Sequence, residues 1–122
     1  MKSMSKRALV AIAAVATIGL TAAVFADSFP TVTNQSGSNS NAVITTTATG
    51  FPSTLVPGQT GSYTQPSSGT DVRYENKANP SQNCNFFFET GPKGQLTVVR
   101  KIASGKAQCE AHGLHLGVSI TS

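Results

Sequence analysis

From Leu114 to Ile120 every second position is apolar: Leu114, Leu116, Val118 and Ile120 alternate with His115, Gly117 and Ser119. A period of two is the mark of a strand with one face in a core and one in water. The same pattern recurs upstream. In Asp71 to Asn76, Val72 and Tyr74 oppose Asp71, Arg73 and Glu75. In Asn83 to Thr90, Cys84, Phe86 and Phe88 share a face and leave Asn85, Phe87 and Glu89 on the other. Gly91-Pro92-Lys93-Gly94 is a turn signal, so Asn83 to Thr90 and Gln95 to Ile102 are predicted to form a hairpin. Ala103 to Lys106 turns the chain again into a short strand around Cys109.

The first half is less regular. Phe29 to Asn34, the β-branched run Ala42 to Thr49, Leu55-Val56 and Gly61 to Gln65 read as short strands. Between them lie Gln35 to Asn41, Phe51-Pro52, Pro57-Gly58 and Pro66 to Gly69 as loops and turns. Its Pro and Gly content predicts that edge strands lie there. Nothing after Ala26 repeats at the helical period of 3.6. The pattern predicts an all-β fold, a small antiparallel β-sandwich of seven or eight short strands, with a small β-barrel as the alternative.

The N-terminal segment reads differently. Lys2, Lys6 and Arg7 precede an uncharged stretch from Ala8 to Phe25, which closes on Val24-Phe25-Ala26 with small residues at the positions a signal peptidase reads. Residues 1–26 are therefore predicted to be a cleavable signal helix, cut before Asp27, and 27–122 a single exported domain. The 18-residue stretch is close to the roughly 20 residues of a membrane span, but its Ala-rich composition and cleavage site favour removal, leaving no stable membrane anchor. Its short Ala-rich core is of bacterial type, which predicts a periplasmic or secreted product.

Removal of that segment changes the meaning of the charge. The whole chain has nine Lys and Arg against five Asp and Glu, a net charge of +4. Residues 27–122 keep six bases and all five acids, a net charge of +1. A nucleic-acid footprint is thus not expected. Of these 96 residues, 54 are Ser, Thr, Asn, Gly, Pro or Gln, and 29 are hydrophobic. The apolar positions cluster into the strand patterns above, which favours a small folded core over disorder.

Cys84 and Cys109 are the two cysteines, and in an oxidising compartment they are expected to pair. Closing that loop contributes about 3 kcal/mol on the chain-entropy model. Cys109, His112 and His115 form the one local cluster of metal-capable residues, a weak candidate for copper or zinc. In a continuous strand, however, residues three apart point to opposite faces, so His112 and His115 converge only if Gly113 breaks the strand. No metal site and no cofactor are assigned.

Phe87 interrupts the polar side of its strand and is a candidate contact for a protein or a sugar ring, or else packs over a glycine such as Gly117. Arg100 and Lys101, with Lys93 and Lys106, form the one basic concentration, a second contact candidate or a device that keeps an edge strand soluble. No phosphate loop, nucleophile elbow or dispersed Ser-His-Asp set occurs, so enzyme activity is not expected. The leading expectation is a non-enzymatic exported domain that binds a protein or glycan. A structural, self-assembling surface or fibre subunit is the alternative, and metal binding through His112 and His115 a minor one.

Overall fold

The computed structural model describes residues Phe29–Thr121; the predicted signal segment 1–26 and its cleavage site lie outside them. The described chain is all-β, with no helix. Nine strands follow in order: β1 Thr31–Asn34, β2 Ile44–Thr45, β3 Thr54–Leu55, β4 Thr60–Ser62, β5 Asp71–Asn76, β6 Asn79–Thr90, β7 Leu96–Ser104, β8 Ala107–His112 and β9 His115–Ile120. They form two separate sheets, of order β4-β1-β9-β8 and β3-β2-β5-β6-β7. The expectation of antiparallel pairing throughout is corrected at one place: β1 runs parallel to β9, with Val32 opposite Leu116. The first and last strands of the domain meet there, and two strands so far apart in sequence need no tight hairpin between them.

One core joins the sheets. Val32, Leu116, Val118 and Ile120 come from the four-stranded sheet, and Ile44, Leu55, Val72, Tyr74, Phe86 and Phe88 from the five-stranded one. The alternation read from β5, β6 and β9 is the alternation of burial, because each strand turns one face to this core; the exception in β9 is Gly117, buried on the other face beneath Gln35. Phe51 and Tyr63 stack at 4.4 Å, and both lie about 6 Å from the centre of the inclined Phe88 ring, which closes the core under the loops after β2 and β4.

Asn34, at the end of β1, holds the sheets together with polar contacts. It is fully buried; Nδ2 donates to the Ala42 and Leu55 carbonyls at 2.8 and 2.9 Å, and Oδ1 accepts from the Ser36 amide at 3.0 Å. Such a buried amide is tolerated because its main polar demands are met. The disulfide Cys84–Cys109 makes the covalent link, joining β6 in one sheet to β8 in the other with a Cα–Cα distance of 5.8 Å.

Two strand limits differ from the sequence pattern. The turn between β5 and β6 falls at Lys77-Ala78, two residues before Asn79-Pro80, because Asn76 Oδ1 accepts the Ala78 amide at 3.1 Å and tightens the chain there. A register shift after Glu75 then leaves residues 80–82 without partners opposite, and Pro80, which has no N–H, occupies that gap. The threonine run after Ala42 forms only the two-residue strand β2; Thr46 Oγ1 accepts the Ala48 amide at 3.2 Å and draws the backbone out of the ladder. The edge strands are β3 and β4 from the first half, as its composition predicted, but also β7 and β8 from the second.

Candidate binding rim on β6 and β7

The predicted hairpin is present: β6 pairs antiparallel with β7, from Thr90 opposite Leu96 to Asn83 opposite Ser104. Its ladder is interrupted once. Phe88 stands opposite Val98 and Phe87 opposite Arg100, so Val99 is an extra residue on β7. A bulge of this kind turns the side chains that follow it relative to those before. It explains why Val98 is half-buried while Val99 is 51% and Ile102 49% exposed. Val99 and Ile102 were not singled out from the sequence. The signal was the adjacent pair Val98-Val99, where strict alternation fails.

The bulge also brings two candidate residues together. Phe87 is half-buried on the outer face of β6, and the Arg100 guanidinium carbon lies 5.0 Å from the centroid of its ring. This is a cross-strand cation–π pair, with the cation over the negative face of the ring. Phe87 does not cover Gly117: the side chain over that glycine is Gln35, whose Cδ lies 2.6 Å from where a Cβ would stand. On the other side of Phe87, Asp71 of β5 is its register partner, and Arg73 pairs with Glu75 at 3.2 Å along the same strand.

Lys101 is not part of the Arg100 contact. Consecutive residues of a strand point to opposite faces, so Arg100 flanks β7 on one side and Lys101 on the other. Val98, Val99, Arg100 and Lys101 line, with Ala111 of β8, a cleft of about 320 Å³ between the two edge strands. Lys93 and Lys106 sit in the turns before and after β7. Among the described residues, neither Arg100 nor Lys101 has an ion pair with a carboxylate.

The two histidines correct a geometric expectation. Gly113, at φ 59°, breaks the strand, and Gly113 and Leu114 form a turn that sets His112 directly opposite His115. Cross-strand partners share a face, so the two do not diverge. Each has another neighbour: Thr31 Oγ1 hydrogen-bonds His115 Nδ1, and Glu110 Oε1 lies 3.7 Å from His112 Nε2. No group of three or more His, Cys, Asp or Glu side chains suited to a metal occurs among the described residues. Cys109 and Cys84 are joined to each other.

Compared with family models, curated proteins and solved structures, the chain shows no match.

Proposed function

We propose that residues 27–122 are an exported, non-enzymatic β-sandwich domain, acting in the periplasm or the medium, that binds a protein partner through the rim of Phe87, Arg100 and Lys101. The observation that carries this reading is the Arg100–Phe87 pair beside the exposed Val99 and Ile102 on an edge strand. Aromatic and arginine side chains next to exposed apolar ones are the composition of interface hot spots. A sugar partner is less well supported, because the guanidinium already occupies the ring face on which a pyranose would stack. The inter-sheet disulfide fits an oxidising compartment outside the cytoplasm.

The test is capture from the native exported fraction on immobilised mature protein, comparing the unaltered chain with Phe87→Ala and Arg100→Ala. A partner retained by the unaltered protein and lost by both variants supports the reading. An identical set of captured species on all three overturns it.

One observation favours a second reading, a self-assembling subunit: among the described residues, β7 is a nine-residue edge strand with a ladder partner on one side only. Size-exclusion chromatography over a concentration series decides this, since a strictly monomeric species excludes assembly through that edge.

A further inference from the structure

The rim lies on a strand whose outer edge is open. β7 runs for nine residues, about 30 Å of extended chain. Among the described residues, its ladder partner is β6 alone. The next strand, β8, belongs to the other sheet, and the cleft lined by residues 98–101 and Ala111 separates the two. The direction of the backbone groups follows from Phe88 of β6, which donates to the Thr70 carbonyl at 2.8 Å and accepts from the Gly69 amide at 2.7 Å, both before β5. Phe87 and Asn85, which alternate with Phe88, therefore face β7, and their register partners Arg100 and Ile102 turn their backbone groups inward to β6. In an antiparallel strand every second residue directs its N–H and C=O to the same side, so Lys101 and Ala103, which alternate with Arg100 and Ile102, present their backbone groups to the outer side.

Charge then selects what fits. The hairpin segment 91–106 carries four bases, Lys93, Arg100, Lys101 and Lys106, and no acid. Arg100 and Lys101 flank the open edge on opposite faces, and neither has an ion pair among the described residues. A second copy of this strand would set these cations against their own counterparts, which is destabilising. Nor do the described residues supply a complementary strand from another copy: Asp71, Glu75 and Glu89 lie on the interior strands β5 and β6, and Glu110 stands alone on β8.

We propose that the free edge of β7 accepts an extended, acidic segment of a partner protein, which adds to the five-stranded sheet as a further strand. The inference rests on the binding reading above and names the chemistry of its partner. Main-chain hydrogen bonds to the outward groups of Lys101 and Ala103 supply the pairing. Two adjacent acids, one on each face of the incoming strand, meet Arg100 and Lys101, and β-branched neighbours cover Val99 and Ile102.

The test uses the mature protein and three fluorescein-labelled, amidated octapeptides, followed by fluorescence anisotropy. They are TVTEEVTV, its basic counterpart TVTKKVTV, and TVTEEPTV, which keeps the acids but removes a backbone donor. The first is expected to bind saturably, and the other two about tenfold or more weakly. Amide hydrogen exchange across residues 98–103 slows when the first peptide binds. Arg100→Glu combined with Lys101→Glu, both at exposed positions, reverses the preference towards TVTKKVTV.

Equal binding of the acidic and proline peptides overturns strand addition, as does failure of every peptide to bind. Slowed exchange at 98–103 on concentrating the protein alone makes a second copy the occupant, and also overturns it. A Phe87- and Arg100-dependent partner from the capture experiment that leaves exchange at 98–103 unchanged sinks this inference while the binding reading stands. Loss of that dependence sinks both.

Discussion

Arg100 rests its guanidinium 5.0 Å from the centre of the Phe87 ring, across a ladder in which one residue of β7, Val99, has no partner. Without that bulge, Val99 would face Phe87 and Arg100 would fall on the other side of the sheet. The cation and the ring are thus brought together by a register shift.

The pair is expected to be worth about 0.5–1 kcal/mol, the range for a solvent-accessible cation–π contact. A double-mutant cycle on Phe87→Ala and Arg100→Ala, read by urea denaturation, measures it. Both singles should fold. Additive effects, with no coupling beyond error, would show that the two side chains do not interact in solution.

Cys84–Cys109 ties β6 to β8 across a sequence separation of 25. Replacing both cysteines by alanine should lower stability by about 3 kcal/mol on the chain-entropy model. For a domain of this size that corresponds to a fall in Tm of about 10–20 °C. Calorimetry of the oxidised protein and the double variant checks it, and an unchanged Tm would refute the link. Hydrogen exchange in β8, an edge strand, should rise in the same variant.

Asn34→Ala should cost about 2 kcal/mol or more, because it deprives two carbonyls and one amide of a buried partner. Asn34→Asp should not rescue it, since a carboxylate cannot donate to Ala42 and Leu55. Urea unfolding of the two variants is the measurement; an aspartate variant as stable as the parent would contradict this account.

Burial raises the Tyr63 and Tyr74 hydroxyls above the ordinary tyrosine range, and at Tyr74 the neighbouring Tyr63 adds to the effect. Each donates a hydrogen bond in its neutral form, Tyr63 to the Leu114 carbonyl and Tyr74 to the Pro52 carbonyl at 2.6 Å. In the unfolded chain both ionise near pH 10. Their pKa values are higher in the folded state, so their contribution is complete below about pH 10 and declines as the pH rises beyond it. Unfolding free energy measured from neutral to strongly alkaline pH should fall along that limb. A Tyr63→Phe, Tyr74→Phe variant should show a shallower decline, and an equally steep one would assign the loss to other groups.

The sequence by itself determined the strands that carry a two-residue period, β5, the inward face of β6, and β9, because solvent on one side and a core on the other leave that period in the residue order. It also determined the hairpin around Gly91 to Gly94 and the pairing of the chain's two cysteines. Tertiary structure decided whatever depends on contacts between distant segments. The parallel pairing of β1 with β9 brings together residues more than 80 positions apart, and no local pattern encodes such a partner. The cross-strand setting of His112 and His115 depended on how Gly113 bends the chain. Phe87, Arg100 and Lys101 were visible as residue types, but which of them meet was set by the bulge at Val99. A shift of one residue moves every later side chain to the opposite face, and only the ladder itself records it.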